Sequence, residues 1–297
     1  MSNLQTADIG LGQTILRRAA ISPEKPALTF EGVTQSFAEL GDRVRRMAAL
    51  LRAGGVSAGD RVGYIGLNHP VFLEMLYACG CLGAVFVPLN FRLTGPEMRF
   101  IANDAGISVM VADSMLRPLV DSERDSLQCS RYITAEADAD NWEPLEPLMA
   151  AATPIEASEK VDGDDVAFIM YTSGTTGLPK GAMLTHGNVF WNSINVCFGE
   201  DGLSGTTLTC APLFHIGGLN VTTLLSLGKG VEVVLLRSFD AGEVLSLIEK
   251  HQVTTMFGAP TMFLMMVQDE SFASTDLSSI ATLTCGGAPV PVPLIKT

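Results

Sequence analysis

From Tyr171 to His186 the chain reads Tyr-Thr-Ser-Gly-Thr-Thr-Gly-Leu-Pro-Lys-Gly-Ala-Met-Leu-Thr-His. These residue types suit a loop that wraps a phosphate chain. Glycines let backbone N–H groups approach an anion closely. Hydroxyls donate hydrogen bonds, and Lys180 adds a compact positive charge. Taken singly, Gly, Ser, Thr and Pro are also ordinary turn residues. It is the whole run, placed after the apolar stretch Val166–Met170, that points to an anion loop. The spacing is not that of a Walker A loop, because Pro179 precedes Lys180 and Gly181 follows it.

Two further segments carry residues with chemistry. In Ala211-Pro-Leu-Phe-His-Ile-Gly-Gly218 a histidine precedes two glycines, and Cys285-Gly-Gly-Ala-Pro289 repeats a glycine pair. Read alone, His215 suits a hydrogen-bonded core histidine, and Gly286-Gly287 suits a plain β-turn. All three segments fall at the end of an expected strand, which is where open α/β sheets bind ligands. Trp191 suits core packing better than a ligand wall, and His69, His186 and His251 show no metal-ligand spacing.

In this order, the three segments resemble the signatures of the adenylate-forming superfamily, which comprises acyl-CoA synthetases, aryl-CoA ligases, luciferases and peptide-synthetase adenylation domains. The resemblance runs from the hairpin near Pro26 to the last residues, and its tone is most similar to fatty-acyl-CoA synthetases. It implies an α/β fold of stacked, mostly parallel sheets flanked by helices. It also implies ATP and Mg2+ as cofactors, with coenzyme A as co-substrate. By the same resemblance Thr172, Ser173, Gly174, Thr175, Thr176, Gly177 and Lys180 hold the phosphates, and Thr172 lies near the metal. His215 and Lys180 are then the catalytic residues, with His215 beside the acid's carboxylate. Gly217 and Gly218 leave room for the acyl chain, and Gly286, Gly287, Ala288 and Pro289 meet the adenine.

The activity so implied is an ATP-dependent fatty-acid–CoA ligase. An aryl-acid–CoA ligase and a non-catalytic nucleotide- or acyl-binding fragment stay open as alternatives. Amino-acid activation fits less well, because no Asp lies near His215 to hold an ammonium group. The family continues with a Tyr-Gly-x-Thr-Glu stretch, a ribose-binding Asp and a small domain with a catalytic Lys. The expectation is therefore an N-terminal part of such an enzyme, impaired in turnover, with subdomains over residues 1–160 and 161–297.

Bulk properties are compatible with this. Of 297 residues, 47% are apolar and 17% charged, enough for a sizeable core. A net charge of −13 argues against a nucleic-acid partner, which surplus Lys and Arg would bind. The six cysteines lack paired zinc-ligand spacing and read as free thiols of a reducing compartment. With no signal-peptide pattern and no membrane-spanning apolar run, the expected location is cytoplasmic. A peripheral membrane contact and a homodimer stay open.

The elements that must position these residues alternate between two periods. A hairpin is expected over 27–36 around Glu31-Gly32, followed by a helix opened by a Ser36/Glu39 capping box. That helix sets Phe37, Leu40, Val44, Met47 and Leu51 on one face. Strands are expected near 61–66, 84–88, 108–112, 166–170, 207–211, 231–236, 254–258 and 281–285. Helices open at Pro70, Pro96, Thr185, Gly218, Ala241 and Pro260. The acidic, proline-bearing stretch 138–165 reads as a surface connection, with a short helix within it left open. Strands alternating with helices imply parallel sheets.

Overall fold

The computed structural model describes residues 9–136, 140–172, 177–199 and 204–296. Its strands, in chain order, are β1 (Pro26–Phe30), β2 (Val33–Ser36), β3 (Arg61–Ile65), β4 (Val85–Leu89), β5 (Ile107–Ala112), β6 (Arg131–Thr134), β7 (Glu143–Pro144), β8 (Val166–Thr172), β9 (Lys180–Thr185), β10 (Thr206–Thr209), β11 (Glu232–Leu235), β12 (Thr255–Gly258) and β13 (Thr282–Cys285). The elements read from sequence match closely. Helices Pro70–Leu82 and Ala241–His251 fall at their expected bounds. All five residues of the predicted stripe on helix Phe37–Ala53 are fully buried. At its start the Ser36 hydroxyl accepts from the Glu39 amide, and the Glu39 carboxylate accepts from the Ser36 amide.

The chain forms two compact units. One contains residues 1–17, 41–66 and 73–191, the other residues 18–40, 67–72 and 192–297. The expected division at residue 160 does not describe them, because early and late segments exchange. The β1–β2 hairpin joins the later strands: β1 pairs in parallel with β11, aligning Leu28 with Val233. Strand β8, from beyond residue 160, pairs with β4 at Phe86 and Phe168. A strand goes where its buried face finds partners, and parallel pairing needs no closeness in sequence.

The first unit holds a seven-stranded sheet in the order β7-β6-β5-β3-β4-β8-β9, parallel except where β9 runs back along β8. Its interior strand β4 is buried at all five positions, as a strand covered on both faces must be. Ile65, Val87, Met98, Ile107, Met110 and Trp142 pack together on one side. Here Glu74, fully buried, is held by the Arg43 guanidinium, which also reaches Glu146. Strands β6, β7 and β9 were not expected. The acidic connection also holds helix Leu145–Ala151.

The second unit holds a six-stranded sheet in the order β13-β12-β10-β11-β1-β2, parallel except for the β1–β2 hairpin. That hairpin turns on Glu31 (φ 48°) and Gly32 (φ 81°). Positive φ at both central residues matches the twist of the flanking strands. Leu208, Val234, Val244, Leu245, Ile248 and Met256 fill the core beneath helix Ala241–His251. Cys79, Cys81 and Cys210 are buried free thiols, but Cys197 is exposed. Among the described residues, no helix is long and apolar enough to cross a membrane.

Candidate functional site

The candidate residues fall into two groups, one on each unit. On the first unit the segment expected to hold phosphate lies between the two strands of an antiparallel pair. Strand β8 runs two residues past its expected end, and β9 returns with Tyr171 opposite Gly181 and Thr172 opposite Lys180. Directly opposed residues project on the same face of an antiparallel pair. The first hydroxyl and the lysine of the motif therefore stand side by side at the hairpin's neck, both exposed. Ser173, Gly174, Thr175 and Thr176 lie outside the described residues. Gly177 (φ 100°) has left-handed backbone that disfavours any other residue.

The neighbouring sequence fixes this neck. A Cβ at Gly181 would lie 2.8 Å from Ile169 Cγ2 and 3.0 Å from Tyr171 Cζ, so only glycine lets β9 lie beneath the tyrosine ring. The Tyr171 hydroxyl donates to Asp104 Oδ2 at 2.6 Å. Burial first, and then the adjacent carboxylate, push its ionisation well above the usual tyrosine range. On the following helix, Thr185 Oγ1 accepts from the Asn188 amide and Asn188 Oδ1 accepts from the Thr185 amide, the cap expected from sequence. The buried His186 accepts from the Leu11 amide through Nδ1. Trp191 is not a core residue: it is 60% exposed, with an edge contact between its ring and that of Phe190.

Among the described residues no group of three His, Cys, Asp or Glu side chains could hold a metal ion. Thr172 offers one exposed hydroxyl, and a magnesium ion beside it would take its other oxygens from substrate phosphates and water.

On the second unit, the other two motifs sit beyond the carboxyl ends of β10 and β13. After β10 the chain turns, with the His215 amide donating to the Pro212 carbonyl at 3.2 Å. Three residues of helix follow (Ile216–Gly218), then a wide π-type turn (Leu219–Thr223), then helix Leu224–Lys229. Thr223 Oγ1 donates to the Gly218 carbonyl at 2.7 Å and lies 2.8 Å from Thr209 Oγ1. A hydroxyl carries one proton, so Thr209 is the donor to Thr223. His215 is exposed, with its ring 4.2 Å from that of Phe214, so it is not a core histidine.

The two glycines after His215 do not simply leave an open passage. A Cβ at Gly218 would lie 2.4 Å from the Pro212 oxygen and 2.9 Å from that of Ala211. The space a side chain would need at Gly218 is already taken by backbone, and the bare glycine closes the turn. A Cβ at Gly217 would lie 2.6 Å from Phe257 Cζ, and one at Gly286 would lie 3.3 Å from Phe257 Cε2. The half-buried ring of Phe257, on β12, thus brings the His215 segment and the Cys285 segment together. This residue was not singled out from sequence. Its only signal there is the next-to-last position of a strand ending beside both motifs. Gly287 has φ 86°, and a Cβ added there would meet no described atom beyond its chain neighbours within 4 Å, an open turn leading to the exposed Ala288 and Pro289. Of the apolar neighbours, Phe214 and Leu219 pack inward and Ile216 is 47% exposed.

Comparison with known proteins places the chain among its relatives. Over 286 residues the chain is 46% identical to a feruloyl-CoA synthase of an Amycolatopsis species, covering 96% of this chain and 56% of that protein. It is 37% identical over 288 residues to an indoleacetate–CoA ligase of Aromatoleum aromaticum, with the same coverage. The structure of a Mycobacterium tuberculosis fatty acyl CoA synthetase superimposes with a TM-score of 0.88 at 31% identity, over 97% of this chain and 57% of that one. The chain therefore spans little more than half the length of these relatives. A model of the AMP-binding enzymes matches residues 15–297, and the chain belongs to that family.

Proposed function

We propose that this chain is part of an acid–thiol ligase, one that activates a carboxylic acid with ATP and passes the acyl group to coenzyme A. A carboxylate oxygen attacks the α-phosphorus of ATP, and the bond to pyrophosphate breaks. The thiol sulfur then attacks the acyl carbon of the adenylate, and AMP leaves with the electron pair of the acyl–oxygen bond. Chemistry of this kind needs positioning and charge stabilisation more than covalent help from the protein.

The observation that carries the reading is the pairing of Thr172 with Lys180 at an exposed hairpin neck. In this proposal Lys180 and the Thr172 hydroxyl donate to phosphate oxygens, joined by Ser173, Gly174, Thr175, Thr176 and Gly177. His215 orients the carboxylate, Gly217 flanks the acid, and Gly286, Gly287, Ala288 and Pro289 meet the base. Gly218 supports the turn rather than the acid.

For the acid, the ring of Phe257 beside Gly217 favours a flat aromatic carboxylate, which gains by stacking on such a surface. The names of the relatives at 46% and 37% identity, which refer to ferulate and indoleacetate, support the same class. A fatty acid is the second reading, supported by the close superposition on the fatty acyl CoA synthetase. Pyrophosphate exchange into ATP, measured across cinnamic, arylacetic and fatty acids, separates the two. Exchange with aryl acids alone is expected. Binding of an acyl-adenylate analogue without exchange would leave a binding role, and neither binding nor exchange would end the proposal.

A further inference from the structure

We propose that Asn68 is a positioning residue that sets the backbone bearing His215. Only the role of His215 rests on the ligase reading above. The clamp rests on four hydrogen bonds.

Asn68 lies in the segment 67–72 of the second unit and is 4% exposed. Its side-chain nitrogen donates to the Ala211 carbonyl at 3.1 Å and to the Leu236 carbonyl at 3.0 Å. Its Oδ1 accepts from the Leu213 amide at 2.9 Å. Its own amide donates to the Arg237 carbonyl at 3.1 Å. Ala211 and Leu236 follow the carboxyl ends of adjacent parallel strands, β10 and β11. The ladder between these strands ends with the Leu236 amide donating to the Thr209 carbonyl. Beyond it the chain leaves the sheet, and the amide of the buried Leu213 would lack a partner. Asn68 takes the place of the missing ladder.

Both amide protons are committed to protein carbonyls, so this side chain has no donor left for a ligand. Its effect must pass through the loop. Leu213 is two residues before His215. Pro212, lying between the two residues that Asn68 grips, accepts from the His215 amide and abuts Gly218. The His215 carbonyl in turn accepts from Leu219. Asparagine alone carries two donors and an acceptor at this reach. Aspartate keeps only the acceptor, and alanine abandons all three buried backbone groups.

Asn68→Ala and the near-isosteric Asn68→Asp in this chain test the assignment, the second serving if the first fails to fold. Two readouts precede any enzymology: hydrogen exchange of the Leu213 amide, and the imidazole Cε1–H resonance of His215, assigned with His215→Gln. In Asn68→Ala, Leu213 exchange is expected to rise roughly tenfold or more, since its buried hydrogen bond is lost, whereas Asn68→Asp keeps that acceptor and loses the two bonds to Ala211 and Leu236. The His215 resonance should move while those of His186 and His251 stay in place. In pyrophosphate exchange, the KM for the acid should rise roughly tenfold with the KM for ATP little changed. The His215 resonance at its original value in either folded variant, or Leu213 protection at its original value in folded Asn68→Ala, would overturn the proposal. So would a general loss of protection with all histidines shifting together, because that describes a residue holding the fold rather than a loop. Absence of pyrophosphate exchange in the unaltered chain with every acid removes the ligase reading, while amide protection and the His215 resonance still decide the role of Asn68.

Discussion

Gly217 and Gly218 are adjacent in sequence but should respond oppositely to the same added methyl group. At Gly218 the new Cβ would sit 2.4 Å from the Pro212 oxygen and 2.9 Å from the Ala211 oxygen, both backbone atoms. Neither can rotate away. The Pro212 carbonyl accepts a hydrogen bond from the His215 amide, and the Ala211 carbonyl accepts one from Asn68. At Gly217 the obstacle is Cζ of Phe257 at 2.6 Å, the far end of a half-buried side chain. A ring tip can swing by the required ångström. Overpacking a tight site costs about 1–3 kcal/mol. Gly218→Ala belongs at the upper end, about 3 kcal/mol, and Gly217→Ala at about 1 kcal/mol or less. For a chain of this size these losses correspond to melting temperatures lower by roughly 6–10 °C and 2–3 °C. Differential scanning fluorimetry at matched concentration reads both. Gly217→Ala should instead show itself in selectivity among acids, because moving the Phe257 ring reshapes the wall beside Gly217. If Gly218→Ala melts within about 2 °C of the unaltered chain, or if Gly217→Ala is the less stable of the two, the packing argument for this turn is wrong.

Other outcomes follow from the hairpin neck and from the tyrosines. Lys180→Ala should lower ATP affinity roughly tenfold by calorimetry, the loss of one charge-assisted contact at an exposed site. Its melting temperature should hold, because Lys180 is exposed. Unchanged affinity would remove the phosphate role. Burial raises the ionisation of Tyr77, and burial with the Asp104 carboxylate raises that of Tyr171. A folded-state value above the unfolded one means that these neutral hydroxyls favour the fold below about pH 10. That contribution is lost as pH rises through the folded values. An ultraviolet titration should show these tyrosines ionising late, together with unfolding, and Asp104→Asn should bring Tyr171 forward. Ordinary ionisation of all four tyrosines near pH 10 in a folded chain would contradict this.

Local chemistry was legible wherever neighbouring residues decided it. The capping box of Ser36 and Glu39, the Glu31-Gly32 turn and the prolines opening helices at 70, 96 and 260 act within a few residues of themselves. So does the stripe from Phe37 to Leu51, which repeats with the helical period. The segments 171–186 and 211–218 drew attention because unusual residue types crowd into short runs. Strand β9 was missed because Lys180-Gly-Ala-Met-Leu-Thr185 carries no alternating pattern. It is a strand because Gly181 lets it pass beneath Tyr171.

What only tertiary structure decided were the meetings between residues far apart in the chain. Nothing near Asn68 announces that it grips backbone 143, 145 and 168 residues away. Nothing near Phe257 says that its ring will join Gly217 to Gly286. The expected boundary at residue 160 failed for the same reason: β1 lies beside β11, and β8 beside β4. Hydrophobic periodicity tells a segment which face to bury, but burial is non-directional and does not name the partner. The sequence thus determined the elements and the chemical character of the loops. The pairing order of the strands then decided which side chains meet beyond their ends.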